Sequence, residues 1–165
     1  MNPLLGSDEE EEESSSSRIT RQAFSYVGHT LLALIAWMGL MAIGYILNPR
    51  GVPQMAILAV SFFVPLLVGL VINRILQNDL APAVWIMGMI WILIVALWIL
   101  DMPTGPNACL ECGATEKIVR TFFSIPQPSG LIDNDGPFLG TWPAAALFGY
   151  GIGAKFGLSK KKIED

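Results

Sequence analysis

Two cysteines separated by two residues are the first candidates for chemistry in this chain. Cys109 and Cys112 are its only cysteines. In an oxidising compartment, a pair so close in sequence forms a local disulfide that braces its loop. The same spacing serves thiol–disulfide exchange where a nearby helix start lowers a thiol pKa. The pair would otherwise be half of a four-ligand zinc site completed by another chain, or two free thiols.

His29 is the second candidate, because it is the single histidine and lies within an apolar run. An ionisable side chain inside a membrane span is a functional candidate by default. Haem or pigment ligation is one hypothesis for this imidazole, although a bis-histidine haem would need a second histidine from another chain. The other is a neutral imidazole hydrogen-bonded to Thr30, to Ser25 or to a neighbouring helix. The sequence itself identifies no cofactor.

The remaining polar motifs predict neither a metal site nor a catalytic set. The run from Asp133 to Gly136 contains part of a calcium-loop pattern, but the first acidic ligand is replaced by Leu131 and the last by Trp142. Asn, Asp and Gly favour turns, so a turn is the better interpretation. The sequence contains no phosphate-binding loop, zinc-protease motif or nucleophile elbow. We therefore expect that the protein is not an enzyme.

The elements that would position these residues are four long stretches without Asp, Glu, Lys or Arg. They cover residues 23–49, 51–73, 80–100 and 136–154. About 20 apolar residues cross the hydrocarbon core of a bilayer, and buried helices of soluble proteins rarely run so far without a charged face. We therefore predict an all-α membrane protein with four transmembrane helices, at about 23–47, 54–76, 81–100 and 138–158.

Polar tails and one long loop flank these predicted spans. Residues 1–22 hold six clustered acids and carry the whole net charge of −4, so we expect a disordered acidic tail. Residues 159–165 form a basic C-terminal tail. Residues 101–137 form the long loop, in which 115–123 has the spacing of a short amphipathic helix. That helix would lie at the membrane interface or pack over the ends of the spans.

The distribution of positive charge indicates an orientation, since Lys and Arg favour cytoplasmic loops. With four spans, both termini and the second connector share one side, which holds seven of the ten Lys and Arg residues. The other side holds Arg50, Lys117 and Arg120. The prediction is that both termini are cytoplasmic and that the long loop is extracytoplasmic.

Small residues recur every four positions in the fourth predicted span and form one stripe, Ala145, Gly149, Gly153 and Gly157. Small residues let helix backbones approach closely in lipid, where apolar burial alone gives little association. The stripe would pack inside this chain's own bundle or form a docking face for another copy or another subunit.

These features together predict a small multi-pass membrane protein. Its spans contain few polar residues, which argues against a transport path through a single copy. Our main functional hypothesis is a non-catalytic accessory or scaffold subunit of a larger membrane assembly, with the lipid bilayer and another membrane subunit or a second copy as partners. The alternatives are a thiol–disulfide protein using Cys109 and Cys112, and a haem- or pigment-binding subunit using His29. The sequence has no basic patch with interleaved aromatic residues, so nucleic acid is not a predicted partner.

Overall fold

The computed structural model describes residues 7–47, 54–101, 113–123 and 140–158, and these residues form helices with no strand among them. The helices are α1 (Ser7–Leu47), α2 (Gln54–Leu76), a 3₁₀ turn (Ala81–Val84), α3 (Trp85–Asp101), α4 (Ala114–Phe122) and α5 (Thr141–Gly157). The predicted all-α class is confirmed for this part of the chain.

Helix α1 begins further towards the N-terminus than the sequence analysis expects. It starts at Ser7 and continues without a break to Leu47, so residues 7–22 are helical where a disordered tail was predicted. Glutamate is a good helix former, and acidic residues in the first turns interact favourably with the helix dipole. Because no proline or glycine follows before residue 28, nothing in the sequence ends this helix ahead of its apolar part.

Within the described part of the chain, three helical segments are long and apolar enough to cross a membrane, which is consistent with a multi-pass integral membrane protein. They are Arg18–Gly44, Met55–Leu76 and Ala81–Asp101. Only 17–22% of the most apolar window of each segment is buried inside the bundle. Large apolar side chains therefore point outwards from all three, among them Ile35, Leu67 and Leu97. Such a surface is stable in lipid and unstable in water.

Helix α5 has the opposite character, because it forms the centre of the bundle. Eleven of its 17 residues are buried. It packs most extensively against α2, then against α3 and the 3₁₀ turn, and also contacts α1. Its Leu147 and Tyr150 share an apolar cluster with Ala33 of α1 and Val84 of the 3₁₀ turn. Thus α5 holds α1, α2 and α3 together.

The two ends of the bundle are built from different elements. At one end, the start of the apolar part of α1 meets the end of α2, the 3₁₀ turn and the end of α5. At the other end, α4 packs beside the end of α3 and meets the start of α5, where Thr141 Oγ1 donates a 2.8 Å hydrogen bond to the carbonyl of Phe122.

Helix α4 (Ala114–Phe122) overlaps the predicted amphipathic segment 115–123, but its buried residues are not the apolar ones. Its buried residues are Lys117 and Thr121, whereas Val119 and the following Phe123 are exposed. Phe122 packs beside Val95 and Ile99 of α3. The helix covers the end of α3 and still presents apolar side chains outwards.

Candidate functional site

The contact between α2 and α5 is made by backbone against backbone. A Cβ atom built on Gly153 would lie 1.9 Å from the carbonyl oxygen of Leu66. One built on Gly149 would lie 2.2 Å from the carbonyl oxygen of Phe62, and one on Gly157 would lie 2.6 Å from that of Leu70. Contacts this short leave room for hydrogen only. The three glycines of the stripe therefore follow one row of α2 carbonyls along the helix.

The close approach is reciprocal, since α2 contributes a glycine of its own. A Cβ atom on Gly69 would lie 2.3 Å from the carbonyl oxygen of Tyr150. On the other side of α5, a Cβ atom on Gly151 would lie 2.9 Å from the carbonyl oxygen of Pro82. Ala145, the fourth residue of the stripe, is partly exposed. Because α2 of the same chain covers the glycines of the stripe, they form no free docking face for a second copy.

His29 is buried and bonded to a residue far away in the sequence. A 2.7 Å hydrogen bond joins its Nδ1 to Oη of Tyr150, which is fully buried. The two rings are tilted by 51° with centroids 5.9 Å apart. The phenol O–H donates if Nδ1 is unprotonated, and Nδ1 donates if it carries the proton. This bond joins α1 to α5 and is the neighbouring-helix partner that the sequence analysis considered.

Two asparagines form a second polar link, at the end of α2. Asn73 is fully buried, and its Nδ2 donates a 2.7 Å hydrogen bond to the carbonyl of Ala154 in α5. Its Oδ1 accepts a 2.7 Å hydrogen bond from the backbone N–H of Asn78. The side chain of Asn78 in turn donates to Ser25 Oγ of α1 and accepts from the backbone N–H of Leu80 at 2.9 Å.

The connector between α2 and the 3₁₀ turn is fixed by this network. Gln77 adopts a left-handed conformation with φ of 46°, a position usually taken by glycine after a helix C-terminus. Its N–H donates to the carbonyl of Asn73 at 3.0 Å. Tyr26 of α1 adds a further tie by donating to the carbonyl of Ala83 at 3.3 Å. We call this set of bonds around Ser25, Asn73 and Asn78 the asparagine junction.

The interior polar groups are mostly engaged in these structural bonds. Among the described residues, His29 makes a single hydrogen bond, through Nδ1, and Thr30 Oγ1 donates to the carbonyl of Tyr26. Ser61 of α2 is buried, and its Oγ has no hydrogen-bond partner among the described residues. Within these ranges, no group of three or more His, Cys, Asp or Glu residues could hold a metal ion.

Several sequence-derived candidates lie outside the described residues. These are Cys109, Cys112 and the run from Asp133 to Gly136. The thiol–disulfide hypothesis therefore stays a prediction, as does haem or pigment ligation by His29. The position of that imidazole, buried and bonded to Tyr150, favours a role in packing.

Sequence reasoning missed the asparagine junction and Tyr150. A signal for Asn73 existed, because an amide at the end of an otherwise apolar stretch must find a partner when it is buried. No comparable signal marked Tyr150, since tyrosine is common at membrane interfaces without a buried bond.

Comparisons with protein-family models, with curated proteins and with solved structures found no match to this chain.

Proposed function

We propose that the protein is a four-span membrane protein that acts as a non-catalytic structural subunit of a larger membrane assembly. In this proposal α5 is the fourth span. Its 17 residues give a length of about 25 Å, less than the roughly 30 Å of the hydrocarbon core. A helix enclosed by its neighbours meets little lipid and can be shorter than a helix that faces the bilayer.

The arrangement of the helix ends supports four spans with alternating directions. The asparagine junction brings the beginning of the apolar part of α1, the end of α2 and the end of α5 together. Helix α4 and the start of α5 meet at the far end. The exposed cations Arg21, Arg74 and Lys155 belong to the junction end. This concentration supports a cytoplasmic location for that end and for both termini.

The observation that carries the structural role is the division between interior and surface. Inside, α5 is packed backbone to backbone, and the buried His29, Tyr150 and Asn73 are bonded to other helices. Outside, α1, α2 and α3 present broad apolar faces. The outer apolar faces of α1, α2 and α3 are therefore the surfaces against which a partner would pack. A rigid body with apolar sides suits lateral assembly better than catalysis.

Topology is tested by labelling cysteines from each side of sealed vesicles. The native Cys109 and Cys112, reduced beforehand, report on the loop, and a cysteine introduced at Ser159 in a chain lacking both reports on the C-terminus. We expect an impermeant maleimide to label the two sites from opposite sides. Labelling of both from the same side would refute four spans.

Assembly is tested by purification in mild detergent, followed by mass measurement and identification of co-purifying proteins. We expect a particle larger than the 17.9 kDa of one copy, containing a stoichiometric second protein or a second copy. A monodisperse single copy that retains its helical content and carries no partner would contradict the structural role. That result would not affect the four-span topology, so the topology and the structural role can be refuted independently.

A further inference from the structure

A cleft of about 410 Å³ opens beside the asparagine junction, between α1 and the connector that follows α2. Its volume lies in the range of sites that hold small ligands. Helix α1 lines it with Arg18, Arg21 and Gln22, while the connector contributes Gln77 and Asp79. None of the bonds that hold the bundle together, described above, uses these five side chains.

The charge and donor pattern of the cleft fits a phosphodiester. Arg18 and Arg21 are exposed, and neither forms a salt bridge with the side chains that the structure describes from residue 18 onwards. The guanidinium group offers a planar fork of N–H donors that matches two phosphate oxygens. The amides of Gln22 and Gln77 add neutral donors. Asp79 is the single carboxylate in the lining, against two arginines, so the charges of the lining residues sum to +1.

The wall of the cleft is fixed before any ligand arrives. Asn78 and Ser25, which both line it, are bonded to each other. The backbone N–H of Asn78 is held by Asn73 Oδ1, and the N–H of Leu80 is held by Asn78 Oδ1. Because these bonds join α1 to α2, the two sides of the cleft are held at a constant separation. A preorganised wall lowers the ordering cost of binding.

Exposed apolar side chains occur in the lining of the cleft and next in sequence to its lining residues. Leu76 lines it and is 66% exposed, and the preceding Ile75 is 73% exposed. Phe24, three residues after Arg21 on α1, is 78% exposed. An inorganic phosphate ion would gain nothing from these side chains. A phospholipid would place its headgroup in the cleft and its acyl chains along Phe24, Ile75 and Leu76.

We propose that this cleft binds the phosphodiester headgroup of an anionic phospholipid. The inference rests on the membrane placement in the proposed function. Two further cations, Arg74 and Lys155, lie at the same end of the bundle outside the lining of the cleft. They strengthen attraction of anionic lipid to this end without contacting the headgroup in the cleft.

The test is lipid titration of the full detergent-solubilised chain, with lipid-bound populations counted by native mass spectrometry. The probes are phosphatidylglycerol and phosphatidylcholine of the same acyl composition. We expect one phosphatidylglycerol to bind more tightly than the rest and more tightly than phosphatidylcholine. Arg18→Gln and Arg21→Gln should each weaken that binding about fivefold. Asp79→Asn should strengthen it, because the repelling carboxylate is removed.

Arg74→Gln is the matched control, since it removes one exposed arginine from the same end but not from the cleft. We expect it to change the first binding step less than twofold. Equal weakening by Arg74→Gln and Arg21→Gln would overturn the site and indicate a diffuse charge effect. Displacement of phosphatidylglycerol by millimolar inorganic phosphate would contradict the proposal that the ligand of the cleft is a lipid. Absence of the chain from the membrane fraction would instead refute the proposed function.

Discussion

Replacing Gly153 with alanine should separate α2 from α5. The added Cβ would start 1.9 Å from the Leu66 carbonyl oxygen, so the backbones must retreat by about 1.5 Å to reach ordinary contact at 3.4 Å. A gap of only 0.5–1 Å already forfeits a quarter to a half of the dispersion energy of a contact. We therefore expect the free energy of unfolding to fall by about 3 kcal/mol, the upper end of the usual cost of overpacking. Unfolding in mixed micelles, followed by circular dichroism, measures this change.

The matched control is Gly39→Ala on the outward part of α1, where an added Cβ meets nothing within 4 Å. It should be neutral or stabilise the helix by up to about 1 kcal/mol. The contact distances also predict a ranking, with Gly153→Ala more harmful than Gly69→Ala, and Gly157→Ala the least harmful of the three. If the free energies of unfolding of the Gly153→Ala and Gly39→Ala variants differ by less than about 0.5 kcal/mol, the backbone contact does not stabilise the bundle.

Three further predictions use the same unfolding measurement. Tyr150→Phe removes the hydrogen bond to His29 and should destabilise the bundle by about 1 kcal/mol; no change would mean that the bond is absent in the membrane. Gln77→Gly relieves the left-handed backbone and should stabilise by about 0.5–1 kcal/mol, whereas destabilisation would contradict that conformation. Glu116→Gln breaks the exposed 2.6 Å salt bridge to Arg120 and should change stability by less than about 0.5 kcal/mol; a larger loss would point to a buried role.

The sequence predicted the features that depend on local composition. The run from Gln54 to Leu76 contains a single charge, at Arg74, and follows a stretch of sequence rich in proline and glycine, so its helical and apolar character could be predicted. The four-residue spacing of Gly149, Gly153 and Gly157 indicated close helix packing. Both signals are periodic and need no knowledge of the neighbouring helix.

The partners of these residues could not be predicted in the same way. Nothing in the spacing of the glycines says that they face α2 and not another molecule, and the bond between His29 and Tyr150 joins residues 121 positions apart. The amphipathic spacing of α4 likewise did not predict that Lys117 and Thr121 would be its buried residues while Val119 is exposed. In lipid, polarity does not identify the interior face of a helix, so apolar patterning loses its power to orient.

The central position of α5 has a consequence for biogenesis. Segments emerge from the ribosome from the N-terminus onwards, so the helix with the most internal contacts is synthesised after α1, α2 and α3. Until it arrives, Asn73 lacks the Ala154 carbonyl and the α2 surface around Gly69 faces lipid without its partner. A nascent chain that stops before residue 140 therefore leaves the Nδ2 donor of Asn73 without its partner and the backbone of α2 without the helix that covers it.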